Sequence, residues 1–206
     1  MANLLNFDKQ DILFTNFPNE EKKTLAITPE EGMHLAYLAS QVREDGSIVE
    51  IGSYQGRSVG AIALGCVKAG IKPQIFAIDI WTSGRGKTFA NYTRPIVFKN
   101  FKNRMKALGV DNMVHPIKGA SVEVAARRKR PIDMLHIDAN HEYEFVLEDF
   151  KAWSRFLRPG AIVAFHDYSE HFPGVMKAVK EMVIDRPDVY ENHEIVGRLF
   201  SARLRG

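Results

Sequence analysis

Two short segments carry acids and histidines at spacings that suit proton or cation chemistry. Asp138-Ala139-Asn140-His141 follows one apolar run, and His166-Asp167 follows another. If these runs are neighbouring parallel strands, their carboxyl ends lie about 5 Å apart. Asp138, His166 and Asp167 are then candidate ligands of one divalent cation such as Mg²⁺.

The residue types also supply a candidate base. A bound cation lowers the pKa of a hydroxyl that contacts it, and His141 lies one turn beyond Asp138, where it can take the proton. Two structural alternatives stay open from the residues alone. Asp138 can cap the helix that follows, and His141 can hydrogen-bond the start of that helix.

A glycine turn follows the first apolar run, in the segment from Glu50 to Ser58. Gly52 and Gly56 allow a sharp turn and a close approach of the backbone to a ligand. The segment lacks the G-x-G-x-x-G loop that cradles a pyrophosphate and the Gly-Lys-Ser/Thr of a phosphate-binding loop. An acid before the first glycine suits a ligand that carries an ammonium and a carboxylate. The candidate ligand-binding residues here are Glu50, Gly52, Ser53, Gly56 and Ser58.

Residues after the next two runs suit a nucleoside. Asp79 ends the second run and can bind both ribose hydroxyls. Ala120 and Ser121 belong to a small-residue turn that can admit an adenine ring, and Trp81 can stack beside the adenosine. The polar stretch from Trp81 to Pro95 is interpreted as a lid.

Apolar runs that alternate with helical patterns must position these residues. Strands are predicted at 47–51, 74–79, 113–117, 133–138 and 161–165, with a closing pair within 189–204. A capping box, Thr28-Pro29-Glu30-Glu31, predicts a helix start. A later helix is predicted to run to Leu157 and to stop at Pro159-Gly160. The pattern predicts an α/β fold, Rossmann-like and doubly wound, with a mostly parallel seven-stranded sheet and helices on both faces.

Bulk properties narrow the class of protein. The 206 residues suit one domain, predicted at 28–206 behind an N-terminal arm at 1–27. Lys and Arg total 28 against 25 Asp and Glu, so a nucleic-acid partner is not expected. One cysteine, Cys66, excludes a disulfide framework within the chain. With neither a signal-peptide pattern nor a membrane-length apolar run, we expect a cytoplasmic protein that does not contact membranes and that can form a homo-oligomer.

The motifs together resemble a known family. Glu50-x-Gly52-x-x-x-Gly56 with Asp79 resembles the first two motifs of class I S-adenosylmethionine (SAM)-dependent methyltransferases, and Leu157-Arg158-Pro159-Gly160 is similar to a segment frequent there. The segments 49–58 and 137–143 resemble a small-domain group that includes macrolide-sugar O-methyltransferases and cephalosporin hydroxylase-associated methyltransferases. The resemblance covers roughly residues 28 to 205.

That resemblance implies a cofactor and a chemical site. It implies SAM as cofactor, Asp138 and Asp167 as metal ligands and His141 as base. His166 departs from the family pattern, because a carboxylate stands at that place in the group. An imidazole there weakens Mg²⁺ binding and favours a transition metal such as Mn²⁺.

Three functions are compatible with these residues. The favoured one is O-methylation of a small hydroxylated acceptor, a sugar or a natural-product-like glycoside. A SAM- or nucleoside-binding module that supports a partner enzyme is the alternative, but such a module needs no base. An NAD-dependent dehydrogenase is disfavoured because the pyrophosphate loop is missing.

Overall fold

Strands and helices alternate along the chain, as the apolar runs predict. A computed structural model describes residues 27–81 and 94–206. The strands are β1 (Ser47–Ile51), β2 (Gln74–Asp79), β3 (Val114–Lys118), β4 (Ile132–Ile137), β5 (Leu157–Phe165), β6 (Tyr190–Val196) and β7 (Leu199–Leu204). The helices are α1 (Pro29–Ala39), α2 (Arg57–Lys68), α3 (Arg94–Ala107), α4 (Ser121–Ala125), α5 (Tyr143–Ser154) and α6 (Pro173–Val179), and a π-helical turn (Lys180–Ile184) continues α6.

The seven strands form one sheet in the order β3-β2-β1-β4-β5-β7-β6. The first five are parallel, and β7 is antiparallel to both β5 and β6. The strand order reverses between β1 and β4, and ligands of such sheets bind beyond the carboxyl ends of the strands at that point. The predicted fold class is confirmed.

Apolar layers cover both faces of the sheet. One layer contains Leu35 of α1, Ile62 of α2 and Phe101 of α3. The other contains Phe150 of α5 and Val179 of α6. Because β1 and β4 lie between the layers, every residue of both strands is buried.

The predicted end of the helix before β5 is wrong. This helix, α5, ends at Ser154, and Leu157 already pairs with Ile132 of β4. Pro159 and Gly160 therefore lie inside the first half of β5. The β4–β5 register shifts between Ile132 and Met134, and an irregular ladder of this kind tolerates a proline.

Two predicted segments fall outside the described residues. They are the N-terminal arm, of which the structure describes Ile27 alone, and residues 82–93 of the predicted lid. Within the two described ranges, no helix combines the length and the apolar character that crossing a membrane requires.

Candidate active site

The glycine turn after β1 packs directly against the end of β4. Gly52 adopts φ +89°, and a Cβ added to it would lie 2.1 Å from the carbonyl oxygen of Asp138. Its N–H donates to the carbonyl of Ile78 on β2 at 2.8 Å. A glycine is therefore required here, and the turn lies beside the residues that follow β4.

The second glycine lets helix α3 approach the same turn. Gly56 is the N-cap of α2 with φ +81°, and an added Cβ would come within 2.8 Å of Met105 and 2.9 Å of Phe101. Ser58 is buried in the first turn of α2. The free N–H groups of that turn give it a positive dipole end that favours a ligand carboxylate.

Two buried polar atoms at the turn have no partner among the described residues. Glu50 is fully buried, and its Oε1 lies 3.1 Å from Nδ1 of His136 on β4. Its Oε2 and the Oγ of Ser53 make no hydrogen bond. Buried polar groups are normally paired. An unsatisfied carboxylate oxygen and a hydroxyl beside a glycine cradle therefore fit a ligand that carries an ammonium group.

The structure holds Asp79 rigidly at the end of β2. Its two carboxylate oxygens accept hydrogen bonds from the backbone N–H of Tyr54 at 2.8 Å and of Trp81 at 2.7 Å. Burial raises the pKa of the Asp79 carboxyl, and the two N–H donors oppose that rise. Each oxygen keeps a further lone pair, so the carboxylate can still accept from ribose hydroxyls.

Trp81 lies in the core beside this acid. Its indole is 4% exposed and contacts the rings of Phe98 and Phe101, with centroids 4.6 and 4.9 Å away. Its Nε1 donates to the carbonyl of Tyr54 at 2.8 Å. Stacking of this ring on an adenosine stays a prediction.

The turn after β3 contacts helix α5. Ala120 is the exposed N-cap of α4, and the hydroxyl of Ser121 accepts from Nε1 of Trp153 at 2.8 Å. Ser121 also hydrogen-bonds Asp149, whose pKa burial raises to about 6 despite that bond. Asp149 and Trp153 were not predicted as neighbours of this turn, although their spacing of four places both on one face of a helix.

Residues after β4 and β5 meet at the same edge of the sheet. Because Ile137 pairs with Phe165, Asp138 and His166 stand side by side. Asp138, His141 and Asp167 each place one ligand atom within 4.8 Å of the others. We call these three residues the acid–histidine cluster.

Within the cluster, Asp167 has several cationic or titratable partners. Its Oδ2 lies 2.8 Å from Nε2 of His141, and its Oδ1 pairs with the guanidinium of Arg198. Burial alone would raise the pKa of Asp167, but hydrogen bonds with His141 and His166 outweigh it and hold the pKa well below its usual range. The carboxylate is therefore ionised at neutral pH.

His166 lies beside the cluster, with a carboxylate on each side of its ring. Its Nδ1 is 3.3 Å from Oδ1 of Asp138 and 3.5 Å from Oδ2 of Asp167. Its Nε2 is 3.2 Å from Oε2 of Glu31. Burial disfavours the imidazolium, but Asp138 and the hydrogen bonds to Asp167 and Glu31 outweigh it and raise the pKa of His166 to about 12.

Glu31 is the site residue whose contact the sequence analysis missed. The capping-box pattern identified it as a helix-capping residue, yet it is fully buried and reaches His166. Hydrogen bonds from His166 and from the backbone N–H of Arg198 and Thr28 outweigh the effect of burial and hold its pKa at about 2. No local pattern signals a contact between residues that are 135 positions apart.

The donor set of the cluster fits a divalent cation. Two carboxylates with water suit Mg²⁺. Two carboxylates with one imidazole, from His141 of the cluster or from the neighbouring His166, suit Mn²⁺. The structure brings both histidines to the acids, and the predicted base, His141, lies closer to Asp167 than the predicted ligand, His166.

Residues 49–168, more than half of the chain, match the model of a methyltransferase-domain family. A curated relative, the uncharacterized protein y4gI of Sinorhizobium fredii, is 26% identical over 144 residues, which cover 69% of this chain and 15% of that protein. The chain spans 15% and 62% of the lengths of two curated relatives that it matches.

Solved structures share the fold. The O-methyltransferase NovP has a TM-score of 0.69 at 14% identity, over 87% of this chain and 81% of that chain. TomG of Streptomyces achromogenes, an O-methyltransferase of tomaymycin synthesis in complex with SAM, has a TM-score of 0.63 at 20% identity over 100% of both chains. The chain belongs to the methyltransferase-domain family, and its fold is that of the class I SAM-dependent methyltransferases.

Proposed function

We propose that the protein transfers the methyl group of SAM to a hydroxyl of a small acceptor, a sugar or natural-product-like molecule, with help from Mg²⁺ or Mn²⁺. One observation carries the proposal. Gly52 lies in the glycine turn after β1, called the cofactor turn from here on. It packs against the backbone of Asp138, the first residue of the acid–histidine cluster. Cofactor and acceptor would therefore meet at the ends of β1 and β4.

The residues after β1, β2 and β3 are proposed to bind the cofactor. When bound, SAM supplies an electrophilic methyl carbon on its sulfonium. Glu50 and Ser53 offer their unpartnered oxygens to the ammonium group. Asp79, held by two backbone N–H groups, accepts from the ribose hydroxyls. Trp81, Ala120 and Ser121 are proposed to lie around the adenine, with Gly56 and Ser58 at the helix start.

His141 is the proposed base that removes the proton of the acceptor hydroxyl. It keeps 19% of its side chain exposed, so an acceptor can reach it, while Asp167 fixes its ring through Nε2. A buried carboxylate that orients an imidazole also stabilises the imidazolium formed when the proton moves. This contact favours methyl transfer over a binding module, which needs no oriented base.

Asp138, Asp167 and His166 are the proposed ligands of the cation, and His166 would release its Nδ1 proton on binding it. When bound, the cation lowers the pKa of the acceptor hydroxyl, which otherwise lies far above that of a histidine. NovP and TomG, which share the fold, are O-methyltransferases by name, and this agrees with a hydroxyl acceptor.

Release of S-adenosylhomocysteine tests the proposal without knowledge of the product. The protein is incubated with SAM, Mg²⁺ or Mn²⁺, and a panel of sugars and glycosides, with and without EDTA. We expect release above the acceptor-free background with at least one hydroxylated acceptor, and loss of that release in EDTA. A full rate in EDTA would contradict the proposed role of the cation. Absence of release with every acceptor would favour a SAM-binding module without methyl transfer.

A further inference from the structure

Glu31 reaches from the first turn of α1 into the chemical site, and three contacts hold it there. Its Oε1 accepts from the backbone N–H of Arg198 at 2.7 Å. Its Oε2 accepts from the backbone N–H of Thr28 at 2.6 Å and lies 3.2 Å from Nε2 of His166. We propose that Glu31 is a positioning residue for cation binding. It orients the ring of His166, and it fixes Arg198, whose guanidinium pairs with Asp167. The inference rests on the proposed cation site.

The first route to the site runs through the His166 ring. A carboxylate on Nε2 favours the proton at that nitrogen and turns Nδ1 toward Asp138 and Asp167, the acids that would hold the cation. Histidines that ligate metals almost always donate their other N–H to a carboxylate or carbonyl, which fixes the ring and raises its basicity. Glu31 stands where this outer carboxylate is needed.

The second route runs through the loop between β6 and β7. The N–H of Arg198 donates to Glu31, and its guanidinium pairs with Asp167. The preceding residue is Gly197, with φ +59°, and a Cβ added to it would lie 2.5 Å from Oε1 of Glu31. The loop is therefore shaped around the Glu31 carboxylate, which fixes where Arg198 meets Asp167.

Capping of α1 does not by itself explain a glutamate at this position. A capping box accepts Glu or Gln at its third position, so a neutral amide can cap the helix. In this chain, however, both carboxylate oxygens accept hydrogen bonds. A glutamine has one acceptor oxygen, and its NH₂ group must then face one of the donors. Glu31→Gln can therefore keep the cap, while it removes the negative charge beside His166 and the acceptor for the N–H of Arg198.

Calorimetry with MnCl₂ tests the inference on the purified full chain, with S-adenosylhomocysteine titrated separately. For Glu31→Gln we expect Mn²⁺ affinity to fall roughly 10- to 100-fold, the range for outer-sphere partners of metal ligands. S-adenosylhomocysteine affinity should stay within about twofold of wild type, since Glu31 contacts Nε2 of His166, whereas Asp138, which packs on Gly52, faces Nδ1. Thr28→Ala is the matched control: it removes the other side-chain cap, lowers the unfolding midpoint, and leaves Mn²⁺ affinity unchanged.

A second variant covers the case in which Glu31→Gln does not fold. Gly197→Ala displaces the carboxylate without removing it and should also weaken Mn²⁺ binding, whereas Gly160→Ala, with φ +80° and nothing within 4 Å, should not. Equal Mn²⁺ affinity in wild type, Glu31→Gln and Gly197→Ala would overturn the positioning role of Glu31 and leave the proposed function intact. A wild type that binds no Mn²⁺ would overturn the cation part of the proposed function and this inference with it, but not cofactor binding.

Discussion

The Nε2 atom of His141 lies 2.8 Å from Oδ2 of Asp167. The two residues follow different strands, β4 and β5, and the parallel pairing of those strands brings them together. An ionised acid next to a partly exposed imidazole is an arrangement that can accept a proton from a bound hydroxyl.

His141→Ala should reduce turnover roughly 10²- to 10⁴-fold, the range for loss of a general base. Affinity for Mn²⁺ and for S-adenosylhomocysteine should stay near wild type. Steady-state rates and calorimetry on the same preparation measure the three quantities. If Mn²⁺ affinity falls as far as it does in an Asp167 variant, His141 is a ligand and the base is another group.

Asp167→Asn should remove the dependence of turnover on Mn²⁺ or Mg²⁺ together with most of the activity. The amide keeps the shape of the side chain but loses the charge that a cation needs. S-adenosylhomocysteine affinity should stay within about tenfold of wild type, because the proposed cofactor contacts follow β1, β2 and β3. A variant that is still activated by the cation would remove Asp167 from the proposed ligands.

Gly52→Ala should lower both stability and cofactor affinity. Its Cβ would lie 2.1 Å from the carbonyl of Asp138, and such overpacking costs about 1–3 kcal/mol. Gly70→Ala is the matched control. Gly70 has φ +74° and a Cβ added to it would meet nothing within 4 Å, so this variant measures the cost of backbone strain alone. Equal losses in the free energy of unfolding for the two variants would contradict the close approach of the turn to β4.

These elements show what the sequence could predict. The predicted bounds of β1 and β2, 47–51 and 74–79, are those observed, because both strands are largely apolar and are closed by Gly52 and by Asp79. The start of β5 was missed, because the pairing of Leu157 with Ile132 is decided by an irregular ladder and not by local preference. Glu31 shows the same limit at the site: its local pattern reports a helix cap, while its contact with His166 comes from tertiary packing alone.

Asp149→Asn should stabilise the protein at pH 7.5 and have little effect at pH 4. Burial raises the pKa of Asp149 from 3.8 to about 6, so the folded state holds this proton more tightly than the unfolded chain. Stability from this group is therefore present below pH 4 and is lost as the pH rises to about 6, with a cost of up to about 3 kcal/mol above that. Denaturant unfolding at both pH values measures the difference. The same change in unfolding free energy at pH 4 and pH 7.5 would contradict the raised pKa.

The most direct test of the account is calorimetric titration of S-adenosylhomocysteine into wild type, Asp79→Ala and Asp188→Ala. Asp188 is an exposed acid far along the chain from the cofactor turn and serves as the matched control. We expect one site in wild type, unchanged affinity in Asp188→Ala, and a loss of about 1.5–3 kcal/mol in Asp79→Ala, roughly 10- to 150-fold, from the missing charged hydrogen-bond acceptor. Absence of binding in wild type, or equal affinity in all three proteins, would contradict a SAM site at the ends of β1 and β2.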